Sequence, residues 1–283
     1  MIKTLDKNSF GCENKSESSF SSSGKGDPMA YHAFTQRLKT SVGIDLGGYK
    51  TTQMQRRIEH FIERCKCSGH EQFLQLLKQN TAVKDQFIKY LTINVTEFLR
   101  NPDLFRYLET NILPGMVQKT GTVKIWSAAC SNGAEPYSMS IIMQSSFPSK
   151  PFHIDATDID DEMLQKAKAG EYMGDVLKNL SPQRLATYFE PNGPGVRIKK
   201  SVSAHVSFRK HNLLLDVYDK GYDLIVCRNV TIYFTPEAQE YCYQGFSKSL
   251  NSGGVLFIGA SENIFNYRKY GLERICPSFF RKI

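Results

Sequence analysis

Nowhere in its 283 residues does the sequence hold an uninterrupted apolar run long enough to cross a membrane, which takes roughly 18 to 20 residues. Its start, MIKTLDKNSFGCENKSESSF, also has no apolar stretch of the signal-peptide kind, so a cytoplasmic address is expected. Cysteine is sparse. The seven residues at 12, 65, 67, 130, 227, 242 and 276 are odd in number and scattered through a chain far larger than disulfide-stapled scaffolds, which points to reduced thiols. Cys65 and Cys67 lack a second Cys or His pair at zinc spacing, so no metal is expected there. No basic run interleaved with aromatics suggests nucleic acid, and no heptads or long apolar stripe suggest self-association, so a monomer is expected.

What is present is enough apolar material for a core: 41% hydrophobic residues, with 18 Phe and 14 Tyr, at a length that allows one large domain or a small one joined to a larger. The net charge of +8 is uneven. Residues 1 to 29 are neutral, with four Lys against four acids; residues 30 to 110 carry 12 basic against 8 acidic residues, and residues 111 to 283 carry 20 against 16. The shorter folded part is therefore about twice as basic per residue, which suits an acidic partner surface and is also ordinary for a basic globular protein.

Residues 1 to 29, rich in Ser, Gly, Lys and Asn, read as a disordered leader or an expression remnant, with Met29 a candidate native start. From 30 to 110 the grammar is helical: Phe34, Leu38 and Val42 stand four apart, and Met54, Ile58, Phe61 and Ile62 form one stripe with Arg56, Arg57 and Arg64 elsewhere. EQFLQLLKQN and KDQFIKYLTI continue a small all-α domain. After Leu113 the pattern changes to short apolar strands at 122–129, 151–158, 222–229 and 253–260, alternating with amphipathic helices. That alternation predicts an α/β, doubly wound, Rossmann-like sheet over 111–283. Between about 172 and 210 it is interrupted by SPQRLATYF, NGPG and VRIKKSVSAHVSFRK, which read as an inserted helix and a small antiparallel β insertion.

Ligands of doubly wound sheets bind at the carboxyl ends of the strands, so the residues there carry the chemistry. The first strand runs into Ala128-Ala129-Cys130-Ser131-Asn132-Gly133-Ala134-Glu135, a small-residue loop with a single Gly. It lacks the G-x-G-x-x-G of pyrophosphate cofactors, which disfavours a nicotinamide dehydrogenase; it admits a ligand close to the backbone or is a plain tight turn. Asp158 ends the second strand, placed to accept from both hydroxyls of a ribose. Asp160 is second choice, since it also suits a helix cap. Asn212 and Leu213 offer an amide and an apolar face to an adenine, or serve structure alone. Arg228 and Asn229 directly follow an apolar strand, where an unpartnered polar pair is costly. Tyr233 reads either as a core residue or as part of the site, while Cys130 and Cys227 read as inert buried thiols with no nearby His to activate them. In LTINVTEFLRNP, polar Asn94, Thr96 and Arg100 fall between apolar neighbours, and the plain account is a capped helix end.

Together NVTEFLRNPDLF, WSAACSNGAEPYS, ATDID, CRNVTIYF and SLNSGGVLFIGASEN resemble, in order and over residues 30 to 280, the bacterial chemotaxis receptor methyltransferases of the CheR type. The resemblance implies a class I S-adenosylmethionine-dependent methyltransferase that esterifies the γ-carboxyl of particular Glu side chains on receptor cytoplasmic helices, releasing S-adenosylhomocysteine and using no metal. It carries cofactor contacts onto Asn94, Thr96, Arg100, Ala129, Glu135, Asp158, Asn212, Leu213, Arg228 and Asn229, and places Arg100 and Tyr233 near the reacting carboxylate. Arg56, Arg57 and Arg64 would face acidic receptor helices. The chain departs from the family pattern at Ala134, where an acid is common, and at Asn132, where a small hydroxyl residue is usual. A methyltransferase of the same fold acting on another protein or a small molecule, and a non-catalytic adaptor that senses S-adenosylmethionine, stand as alternatives.

Overall fold

The computed structural model describes residues 28–91, 96–119 and 121–283. Four helices come first: α1 (Pro28–Val42), α2 (Thr51–Arg64), α3 (His70–Gln79) and α4 (Thr81–Leu91). The stripe on α2 does what its spacing predicts. Met54, Ile58, Phe61 and Ile62 are buried, and they meet Phe34, Leu38, Phe73, Leu77 and Phe87 in one cluster. The rings of Phe61, Phe73 and Phe87 lock its centre at centroid separations of 4.9 to 5.9 Å, geometries that add to area burial.

The chain then changes partner. Phe98 and Leu99, α5 (Pro102–Tyr107), a π turn at Leu108–Ile112 and α6 (Leu113–Val117) bury Phe105, Leu108, Ile112, Leu113 and Met116 against the sheet, not against the first four helices. Packing thus switches ahead of Phe98, whereas the sequence reading divided the chain at 110. Helical periodicity alone does not say which surface an amphipathic helix will cover.

The sheet holds seven strands: β1 (Val123–Ala128), β2 (Phe152–Asp158), β6 (Val206–Lys210), β7 (Tyr222–Cys227), β8 (Leu250–Ile258), β9 (Leu272–Cys276) and β10 (Phe279–Lys282), in the order β6-β2-β1-β7-β8-β10-β9. The first five in that order are parallel, and β10 runs antiparallel to both its neighbours. β1 is buried along nearly its whole length because both its faces are covered: Ile125 enters one cluster and Trp126 the other. The connecting helices are α7 (Ala134–Ser146), α8 (Asp161–Ala169), α9 (Pro182–Tyr188), α10 (Lys200–Ser203) and α11 (Pro236–Ser249).

One expectation is corrected. The β insertion is a three-stranded antiparallel sheet of β3 (Glu171–Tyr172), β5 (Gly195–Ile198) and β4 (Phe189–Asn192), and VSFRK does not belong to it. That segment is β6, the parallel edge of the main sheet, with Val206 opposite Ile154 and Lys210 opposite Asp158. An alternating pattern fixes which face is buried but not which strand is the neighbour. The closing hairpin of β9 and β10 carries no turn signal beyond Pro277 and Ser278, yet Phe279 and Phe280 are wholly buried on opposite faces.

The helical bundle sits over the carboxyl ends of the strands. The Thr235 amide donates to the Gly48 carbonyl at 2.9 Å, the Lys50 amide to the Tyr233 carbonyl at 2.8 Å, and the Tyr49 ring stands edge-on to Phe234 at 5.3 Å. A second tie is the ion pair between Lys89 of α4 and Glu162 of α8.

Candidate functional site

Strand order reverses between β1 and β7, and the crevice that this reversal opens at the carboxyl ends is roofed by the bundle. The result is a cleft of about 940 Å³. Thr96, Arg100, Ala129, Glu135, Asp158, Asn212, Leu213, Arg228, Asn229 and Tyr233 all line it. Asn94 lies outside the described residues.

Asp158 is buried at the end of β2. Its Oδ2 accepts from the Ser131 amide at 2.7 Å and its Oδ1 from the Asp160 amide at 3.0 Å, so the loop after β1 is strapped to β2 by this one carboxyl group. Burial raises its pKa, and the backbone N–H groups oppose that rise. Asp160 accepts from the amides of Glu162 and Met163 as the N-cap of α8, which is the capping role, and it too lines the cleft. At the far end of β6, Asn212 Oδ1 accepts from the Leu214 amide at 2.9 Å, and Asn212 lines the cleft beside the buried Leu213.

The other wall is built on a buried charge. Arg228 follows β7, and its Nη2 donates to the Arg100 carbonyl at 2.7 Å and to Asn101 Oδ1 at 2.8 Å. Its guanidinium lies over the rings of Phe105 and Phe257, at 5.2 and 4.8 Å, and Nη1 stands 3.5 Å from Glu135 Oε2. Desolvation lowers the Arg228 pKa. Desolvation also pushes Glu135 up to about 7, against the pull of Arg228 and of the Ser127 hydroxyl, which donates to it at 2.8 Å. Arg228 thus pins the segment carrying Arg100 to the sheet.

The backbone at this end of the sheet is strained. Leu99, Asn101, Ala129, Ser131 and Asn229 all adopt left-handed conformations, with φ from 50° to 68°, which cost L-residues energy and cluster at working sites. Among the described residues, five buried side-chain polar atoms find no hydrogen-bond partner: Arg57 Nε, Ser131 Oγ, His211 Nε2, Arg228 Nε and Asn229 Oδ1. All five residues line this cleft. Buried polar groups are normally paired, so their concentration in one place marks a surface shaped for a polar ligand.

Tyr233 is half-buried in a 3₁₀ turn facing the cleft and does not belong to a core cluster, which removes its reading as a core residue. Arg57, expected to face outward, instead turns in: it donates to the Tyr90 carbonyl and lies over the Tyr90 ring at 4.7 Å. Arg56 and Arg64 are exposed. Cys130 and Cys227 are wholly buried, and burial raises both thiols well above their ordinary range, which fits inert packing.

Residues 29–92 match the profile described as the CheR methyltransferase all-alpha domain, and residues 94–275 that of the CheR methyltransferase SAM-binding domain. A chemotaxis protein methyltransferase of Listeria monocytogenes is 43% identical over 253 residues, 89% of this chain and 97% of that protein. The chain belongs to the CheR methyltransferase family. Relatives under the same description include proteins of Vibrio parahaemolyticus, 33% identical over 89% of this chain and 96% of theirs, and of Salmonella typhimurium, 34% identical over 86% and 87%. Its fold and domains are those of an S-adenosylmethionine-dependent methyltransferase acting in chemotaxis.

In this CheR methyltransferase two cleft groups, and one buried carboxyl that holds the cleft-lining backbone of Asn229 and Val230, were not singled out from sequence. Ser131 and His211 sit beside residues that were; only burial reveals their unpaired atoms. Glu262 follows β8 inside the quoted GASEN stretch, and the signal available was a lone acid directly after an apolar strand.

Proposed function

We propose that the cleft binds S-adenosylmethionine and that the enzyme methylates the γ-carboxyl of glutamates on the cytoplasmic helices of chemotaxis receptors. The observation that carries the cofactor half is the set of five unpartnered buried polar atoms in one cleft beside Asp158 and the Arg228–Glu135 pair. The Ser131 and Asp160 amides take one site on each Asp158 oxygen, and the carboxylate's remaining lone pairs can receive the hydroxyls of a ribose. Asn212 and Leu213 clasp the adenine, and the small side chain at Ala129 lets the ligand approach the loop backbone. Glu135, Asn229, Thr96 and Asn94 hold the amino-acid end, with Glu135 taking its ammonium group and Arg228 keeping the surrounding backbone in place.

Bound S-adenosylmethionine supplies a methyl group activated on a sulfonium. A glutamate side chain, with an ordinary pKa near 4.3, is already an anion at neutral pH and needs no general base. The protein's task is therefore orientation and partial desolvation of that carboxylate. Arg100 and Tyr233, which both line the cleft, do this: Arg100 offers charge-assisted donors, and Tyr233 a hydroxyl on the turn after β7. The exposed Arg56 and Arg64 on α2 meet acidic receptor helices, in the cytoplasm. Among the described residues no helix is long and apolar enough to cross a membrane.

The test is incubation with methyl-labelled S-adenosylmethionine and a receptor cytoplasmic fragment, in parallel with its Glu→Gln variant, followed by base treatment. Methanol released from the Glu form alone is the expected result, because a glutamyl methyl ester hydrolyses and an N-methyl product does not. If label transfers to neither form while the cofactor binds, the acceptor assignment is wrong, and the other-substrate or adaptor reading takes its place.

A further inference from the structure

Glu262 is buried in the loop after β8, and its two carboxyl oxygens accept five hydrogen bonds. Oε2 receives the amides of Asn229 at 2.9 Å and Gly259 at 2.6 Å. Oε1 receives the amides of Val230 at 3.1 Å and Thr231 at 2.9 Å, and the Thr231 hydroxyl at 2.8 Å. Three successive backbone amides of one cleft loop thus converge on a single side chain. The site is built to that closeness: a Cβ at Gly259 would stand 2.7 Å from Glu262 Oε2 and 3.0 Å from the Asn229 nitrogen.

The loop so held is the one that carries the acceptor wall. The amide of Tyr233 donates to the Val230 carbonyl at 3.1 Å and that of Phe234 to the Thr231 carbonyl at 3.0 Å, so the turn bearing Tyr233 rests on two residues pinned by Glu262. Asn229, the first residue pinned, is left-handed, with φ 60°, a conformation that the two flanking hydrogen bonds maintain. We propose that Glu262 is a positioning residue for methyl transfer, which fixes the 229–233 turn and so aims Tyr233 at the incoming carboxylate. The proposal rests on the carboxyl-methylation reading above for its kinetic consequence, but not for the loop order that it describes.

The experiment is Glu262→Gln in the full-length chain, with two readouts. The first is hydrogen exchange of the amides 229–231, which needs no acceptor: replacing one acceptor oxygen by a donor NH₂ repels the N–H groups that pointed at it, and these amides lose protection while those of β1 and β2 keep theirs. The second is turnover on the receptor fragment, where wild-type transfer is established first and stands or falls with the reading above. A misaimed reacting group costs about 100-fold in kcat, with receptor KM changed by less than about threefold. Tyr233→Phe added to Glu262→Gln should then cost little more, because its aim is already lost. If Glu262→Gln does not fold, Thr231→Val removes one of the five bonds alone, and a several-fold fall in kcat at constant KM is expected from it. Retained protection at 229–231, or Glu262→Gln and Tyr233→Phe effects that multiply in full, would overturn the proposal.

Discussion

The two ends of the main sheet solve the same problem, turning the chain beyond a strand, by different means. At the amino ends the left-handed positions are glycines: Gly121 before β1, Gly221 before β7 and Gly253 in the first part of β8, with φ of 72° to 87°. The polar groups there are paired, as where Asp223 takes the Lys124 amide at 3.0 Å and Asn251 at 3.0 Å. At the carboxyl ends Gly133 is left-handed too, but so are the side-chain-bearing Ala129, Ser131 and Asn229, and buried polar atoms go unpaired. Where only a turn is needed, glycine makes it at the lowest backbone cost. A side chain kept at a strained position, at about 1 kcal/mol each, has a reason outside the fold, and here it faces the cleft.

The largest effect that would break this contrast is at Asp158. Asp158→Asn removes an acceptor for two ribose hydroxyls at about 1.5 kcal/mol each, so affinity for S-adenosylmethionine should fall roughly 100-fold by calorimetry. An unchanged affinity would move the ribose elsewhere. Next comes pH. Glu135 titrates at about 7 in the free protein, and a bound ammonium group favours its ionised form and lowers that value. Binding therefore releases a proton below about pH 7, and cofactor affinity should rise by up to about tenfold per pH unit toward neutrality, then level off. Glu135→Gln should flatten the profile. For the fold alone the sign is opposite: a carboxyl with a raised native pKa makes the protein less stable as pH climbs from the unfolded value of 4.5 to about 7.

A smaller effect sharpens the amino-end half of the comparison. A Cβ at Gly121 meets nothing within 4 Å, and at Gly221 it meets only Asn251, at 3.9 Å. Gly221→Ala should therefore cost only backbone strain, about 1 kcal/mol, seen as a lower Tm with cofactor affinity unchanged.

Much of this was legible in the sequence, and its gaps have one cause. Strands β1, β2, β7 and β8 and helices α1 to α4 declare themselves by local period, Asp158 by ending a strand, and Arg228 and Asn229 by standing directly after an apolar one. The partner of β6 was misread because register and neighbour are set by contacts distant in sequence, here Ile154 with Val206. Glu262 and the inward turn of Arg57 were missed for the same reason: what distinguishes them is the backbone each meets, 31 to 33 residues away.

The most direct test of the central claim, that the carboxyl-end side chains are kept for a ligand and not for the fold, is Asn229→Gly measured two ways. Thermal unfolding reports the fold, where relief of the left-handed strain should leave Tm equal or higher. Titration with S-adenosylhomocysteine reports the site, where loss of the amide should cut affinity about tenfold. A Tm that falls while affinity holds would contradict the account, because it would make Asn229 a structural residue like the glycines at the other end.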